Sequence, residues 1–195
     1  MGKIIVVTGG ARSGKSQFAE ECFDQSARIL YLAANAAPQD DEMKKRVSLH
    51  QANRPAHWQT YEGFIDLPEK MAAGCFEGYL LDCATMFTTN TFYRLLQERF
   101  GADYEWMEKQ FFKMTEDQKQ DLESEILQEW HKILIQAKSL PSMTVIVTNE
   151  VGLGIVPENP LSRWFRDVLG RVNQFLGKEG DEVYLIVAGI PVKIK

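Results

Sequence analysis

The sequence predicts an α/β fold with a mostly parallel sheet and helices on both faces. Short β-rich apolar runs alternate with helical stretches along the chain, no repeat or low-complexity segment interrupts them, and the first run leads through a glycine-rich turn into a helix. A strand buried on both faces reads as a continuous apolar run, which is the form of Ile4 to Val7.

The turn, Gly9-Gly10-Ala11-Arg12-Ser13-Gly14-Lys15-Ser16, fits the pattern G-x-x-x-x-G-K-[ST] at each fixed position. Glycines let the backbone curl with its N–H groups pointing inward and leave room for a phosphate. Lys15 supplies a positive charge for the β- and γ-phosphates, and the Ser16 hydroxyl can ligate the Mg²⁺ that accompanies a nucleoside triphosphate. From Ser16 to Phe23 the chain reads as a helix with Phe18, Ala19, Cys22 and Phe23 on one face. Strand, loop and helix in this order predict a P-loop NTPase-like, RecA-like sheet.

With 195 residues, 45% hydrophobic and 25% charged, the chain is expected to form a single domain over residues 1–195. No apolar run approaches the ~20 residues of a membrane span, and no signal peptide is expected, which points to the cytoplasm. A net charge of −5 offers no broad basic surface for nucleic acid, so nucleotides are the expected ligands. Cys22, Cys75 and Cys83 lack metal-like spacing and read as reduced core residues.

The second strand is expected over Arg28 to Ala33, beside the first, and ends in the loop Ala34-Asn35-Ala36-Ala37-Pro38 where open α/β sheets place ligands. Asp40-Asp41-Glu42 offers a helix start that runs to Arg54-Pro55, with Glu42, Arg46 and His50 along one side. Taken alone, such a stripe is a solvated face with ion pairs. His57 to Tyr61 alternates as a half-buried strand, with Glu62 at its end; Asp66 and Pro68 begin a short helix. Tyr79-Leu80-Leu81-Asp82 is an apolar run ending in a carboxylate, the form of a strand whose acid acts on the magnesium shell.

A helix rich in aromatics is expected over Met86 to Phe100, stopped by Gly101. Residues 102–120 lack clean periodicity and are expected to form a surface excursion. Thr115 with Gln118 resembles a capping box, followed by a long helix with Leu122, Ile126, Trp130, Ile133, Leu134 and Ala137 inward and a solvated His131 beside them. Met143 to Thr148 reads as a strand whose exit, Asn149 to Pro157, carries a carboxylate and two glycines, more than a plain connection needs. Asn159-Pro160 caps a last helix, with Arg163, Arg166 and Arg171 off its apolar face; Glu182 to Ala188 is the final strand, and residues 189–195 form a tail.

Several blocks together resemble a known family: Gly9 to Ser16, Asp40 to Met43, Arg46 to His50, Arg54 to Trp58, Val147 to Pro157, Gly170 to Asn173 and Val192 to Lys195. The chain resembles the bifunctional adenosylcobinamide kinase / adenosylcobinamide-phosphate guanylyltransferases of cobalamin biosynthesis. The resemblance implies phosphorylation of adenosylcobinamide with ATP or GTP, then transfer of GMP from GTP to adenosylcobinamide phosphate, carried on a histidine that matches His50. It also implies nucleotide contacts from Ala33, Ala34 and Asn35, from Gln51, Ala52, Asn53 and Arg54, and from Glu62, whose carboxylate can accept from the N1–H and amino group of guanine. Asp82 stands where the family commonly has Glu; with Ser16 it would hold Mg²⁺. Homotrimers are implied as well. The chain departs from the family in a longer 102–120 region and in Pro191, where glycine is usual. Two rival readings stand beside this one: a simple small-molecule kinase with no covalent nucleotide, and a nucleotide-gated regulator.

Overall fold

In the computed structural model, residues 2–34, 55–101 and 103–195 are described. Seven strands form one sheet in the order β3-β2-β4-β5-β1-β6-β7. These are β1 (Ile4–Gly9), β2 (Ile29–Ala33), β3 (Gln59–Glu62), β4 (Gly78–Asp82), β5 (Met143–Val147), β6 (Glu182–Val187) and β7 (Ile190–Lys193). Six run parallel and β7 pairs antiparallel with β6.

The predicted sheet is present, but β2 does not lie beside β1. The chain leaves β1 through α1 (Lys15–Glu21) and passes over two strand positions, which the later strands β4 and β5 then fill. Local sequence cannot reveal this, because the strands that separate the pair come more than forty residues later. β3 is shifted to Gln59–Glu62 and is largely exposed rather than half-buried, because it is an edge strand paired with β2. The supposed tail continues as β7 through a turn at Ala188 (φ 51) and Gly189 (φ 80), the two positive-φ positions that a tight hairpin needs.

The two faces of the sheet are covered unequally. On one, Ala19 of α1 and Phe23 just after it pack with Ile5, Val7, Tyr31, Leu80 and Val147. On the other lie α2 (Leu67–Ala72), α3 (Ala84–Phe100), α5 (Glu116–Ser139) and α6 (Pro160–Glu179), sharing a core with Val6, Leu32, Leu81 and Ile146. Alternate residues of each strand point to opposite faces, so both layers are apolar, and near-continuous apolar runs result. In that larger core Trp130 is fully buried, and its indole N–H donates to Thr88 Oγ1 at 3.0 Å.

Residues 103–120 are not a plain excursion. Asp103 caps α4 (Tyr104–Phe111) by accepting from the Trp106 N–H, and Met107, Phe111 and Met114 are buried against the core, Phe111 stacking edge-on with Phe92 and Trp164. The short helix reads as aperiodic because its apolar contacts are spread over its own length and the turn after it. The Thr115–Gln118 capping box forms in both directions at the start of α5. Nor are the three cysteines all core residues: Cys75 is exposed, and Cys22 and Cys83 are partly buried.

Candidate active site

The glycine-rich turn joins the carboxyl end of β1 to α1, between β5 and β6 at the centre of the sheet. Arg12 (φ 56) and Gly14 (φ 95) both take the left-handed conformation that curls the loop. The hairpin turn after β6 lies directly on it: the Gly189 N–H donates to the Ser13 carbonyl at 2.9 Å, and a Cβ on Gly14 would stand 3.3 Å from Gly189 Cα. Gly9 is tighter still, since an added Cβ would meet Ser13 Oγ at 2.6 Å and the Ile186 carbonyl at 2.7 Å. A Cβ on Gly10 meets nothing within 4 Å, so that glycine leaves open space above the loop.

Lys15 donates from Nζ to the Gly10 carbonyl at 2.8 Å, arched over its own loop. Burial pushes its pKa down, and the negative charge of Asp82 opposes that shift. Among the described residues, the buried hydroxyls of Thr8 and Ser13 have no hydrogen-bond partner. Such donors beside inward-curled backbone N–H groups suit a phosphate. Ser16 follows Lys15 in the first turn of α1.

The strand register aligns the other expected site residues. Glu62 pairs with Ala33, Ala33 with Asp82, Asp82 with Val147, and Val147 with Val7, a row across the carboxyl ends from β3 to β1. At ~4.8 Å per strand the row spans about 19 Å, the scale of an extended nucleoside triphosphate. Glu62 is exposed at its outer end, and Ala34 follows as buried backbone whose carbonyl accepts from Asn90 Nδ2 at 2.7 Å. Asn35, His50, Gln51, Ala52, Asn53 and Arg54 lie outside the described residues.

Sequence reasoning missed Tyr31. Its ring is buried and its hydroxyl donates to Asp82 Oδ2 at 2.7 Å, which holds a carboxylate whose charge is felt at Lys15. A tyrosine in an otherwise aliphatic buried strand needs a partner for its hydroxyl, and that was the available signal. The β5 exit is tied in as well. Asn149 Nδ2 donates to Thr85 Oγ1 at 2.9 Å, Asn173 Nδ2 to the Asn149 carbonyl at 3.0 Å, and Thr148 Oγ1 to Asn173 Oδ1 at 2.6 Å. Next to Asp82, burial first and then the Asp82 charge push the Cys83 thiol up to about 11, so it stays protonated and is no nucleophile at neutral pH.

A hydroxyl and one carboxylate are hard oxygen donors of the kind Mg²⁺ uses together with phosphate oxygens and water. Among the described residues no group of three or more His, Cys, Asp or Glu could hold a metal ion.

The profile described as cobinamide kinase / cobinamide phosphate guanyltransferase matches residues 5–194. The chain belongs to this family. Relatives of the cobinamide kinase / guanyltransferase family align with it end to end. It is 41% identical over 194 residues to the bifunctional adenosylcobalamin biosynthesis protein CobU of Escherichia coli (strain K12), covering 98% of this chain and 99% of that one. It is 43% identical over 197 residues to CobU of Salmonella typhimurium (strain LT2), with the same coverage. To CobP of Pseudomonas aeruginosa the identity is 32%, over 97% of this chain and 96% of the relative. A family member with this sheet also resembles an ATPase of a bacterial type III secretion system, with a TM-score of 0.51 and 12% identity over 95% of this chain and 52% of the other; the likeness is one of fold.

Proposed function

We propose that this chain phosphorylates adenosylcobinamide and then transfers GMP from GTP to adenosylcobinamide phosphate, giving adenosylcobinamide-GDP and pyrophosphate in the assembly of cobalamin's nucleotide loop. The observation that carries the reading is a family match over residues 5–194 on a chain whose phosphate loop, Asp82 and Glu62 share one end of one sheet. Both steps use the single unit of residues 1–195, acting in the cytoplasm as a homo-oligomer, a trimer by resemblance.

In the kinase step the loop N–H groups and Lys15 hold the β- and γ-phosphates of ATP or GTP. Lys15 exchanges its bond to Gly10 for one to phosphate. Mg²⁺ held by Ser16 and Asp82 would supply further charge neutralisation on the phosphates. In the guanylyl step an unprotonated ring nitrogen of His50 attacks the α-phosphorus of GTP. The N–P bond forms as the bond to the bridging oxygen breaks, and pyrophosphate leaves. A phosphate oxygen of adenosylcobinamide phosphate then attacks the same phosphorus, forming a P–O–P link and returning free His50. An imidazole with a reference pKa of ~6.5 is substantially unprotonated at neutral pH, which suits this role. Ala33, Ala34 and Asn35, with Gln51 to Arg54, contact the nucleotide, and Glu62 accepts from guanine, a pattern adenine cannot satisfy.

The test is incubation with α-labelled GTP and Mg²⁺ followed by denaturing electrophoresis. The chain should carry an acid-labile, base-stable label that disappears in His50→Ala. A chain that phosphorylates cobinamide without ever taking up label is a simple kinase, and the histidine step would be lost.

A further inference from the structure

The loop between β5 and α6 is held at both ends and apolar at its tip. At its root the Glu150 N–H donates to the Gly9 carbonyl at 3.1 Å, so the loop starts on the phosphate loop itself. At its far end Arg163 donates to the carbonyls of Pro157 at 2.8 Å and Glu158 at 2.6 Å, and Asn159 caps α6. Between these anchors the Gly152 N–H donates to the Glu150 carboxylate at 3.2 Å and the Gly154 N–H to the Val151 carbonyl at 3.3 Å. At the tip Leu153, Ile155 and Val156 stand 82%, 97% and 61% exposed. One exposed aliphatic side chain is ordinary. Three within four positions, on a loop hydrogen-bonded to the nucleotide site, form a patch that calls for a ligand.

We propose that this loop is the platform for the acceptor: Leu153, Ile155 and Val156 pack against the apolar corrin ring of cobinamide while its aminopropanol arm reaches the phosphate loop. The inference rests on the family activity and adds the surface that grips the second substrate. An attacking oxygen must come within about 3–3.5 Å of the phosphorus, so the rest of a bulky acceptor has to emerge beside Gly9 to Ser16, where this loop begins. Three aliphatic side chains offer no charge or hydrogen bond to a phosphate or a base, but they can pack against the ring and methyl groups of a wide macrocycle whose amide arms stay in water. A second exposed apolar surface, Val187, Ile190, Val192 and Ile194 on the β6–β7 hairpin, has a different character. There β7 is an edge strand whose outer backbone groups are free to pair, which fits a second copy of the chain. The loop tip has no such edge.

The experiment compares wild type with Leu153→Ser/Ile155→Ser in the kinase step, varying cobinamide at saturating ATP and then ATP at saturating cobinamide, with gel filtration of both proteins. Loss of two aliphatic contacts should raise the KM for cobinamide by about tenfold or more. The KM for ATP, the melting temperature and the elution volume should stay at wild-type values. An unchanged KM for cobinamide overturns the platform, as does a shift in elution volume, which would make the loop a subunit contact. Wild-type turnover of cobinamide is measured first: its absence overturns the family reading and this inference with it, whereas turnover with an unchanged variant KM overturns the platform alone.

Discussion

Replacing Tyr31 by Phe removes the hydroxyl that donates to the expected metal carboxylate. The ring is 2% exposed and packs among Ala33, Leu80 and Val147, so phenylalanine fills the same space and leaves no cavity. The 2.7 Å bond from the Tyr31 hydroxyl to Asp82 Oδ2 disappears. A hydrogen bond to a charged acceptor contributes about 1.5–3 kcal/mol, and because Asp82 is half-buried, water recovers part of it. A net loss of about 1–2 kcal/mol remains, equivalent to roughly 5–30-fold in an equilibrium constant. Because the bond orients the carboxylate, the loss should fall on Mg²⁺, where partners of this kind contribute about 10–100-fold in affinity. The assay is the Mg²⁺ concentration giving half-maximal kinase rate at saturating cobinamide and ATP, with thermal unfolding in parallel. Half-saturation should rise about tenfold while the melting temperature moves by only a few degrees. A Tyr31→Phe enzyme whose Mg²⁺ requirement stays within about twofold of wild type would falsify the positioning role.

Two further outcomes follow from the same geometry. Gly9→Ala places a Cβ 2.7 Å from the backbone carbonyl of Ile186, which cannot swing aside, so β1 and the phosphate loop must shift. Overpacking of this kind costs about 1–3 kcal/mol, and a fluorescent nucleotide titration should show binding weakened at least about tenfold, whereas wild-type affinity would mean the loop tolerates the methyl group. Glu182 accepts from Lys3, Tyr184 and Lys193, and the Lys3 bond first of all holds its carboxyl down to about 2. A depressed pKa contributes stability that is present above the unfolded value of ~4.3 and is lost as pH falls toward 2. In urea titrations between those pH values Glu182→Gln should therefore lose less stability with acidification than wild type; parallel slopes would remove the linkage.

The elements that local chemistry dictates were legible in advance. The Gly9 to Ser16 loop, the Thr115 capping box, the Asn159-Pro160 start of α6, the Gly101 stop and the acid closing β4 each depend on a few neighbouring residues, and each forms as expected. Met107, Phe111 and Met114 show the limit of that reasoning. Nothing in their own stretch says that Phe92 and Trp164, from two other helices, will receive them.

By itself the order of residues determined the phosphate loop, the alternation of strand and helix, and the family, because each is written in short blocks whose chemistry is complete locally. Tertiary structure alone decided that β4 and β5 separate β2 from β1, that Tyr31 meets Asp82 across neighbouring strands, and that the β5 exit is fastened to Gly9. Pairing between strands far apart in the chain sets these contacts. That choice is made by the summed packing of the two sheet faces, and a single stretch of sequence holds too few of those contacts to specify it.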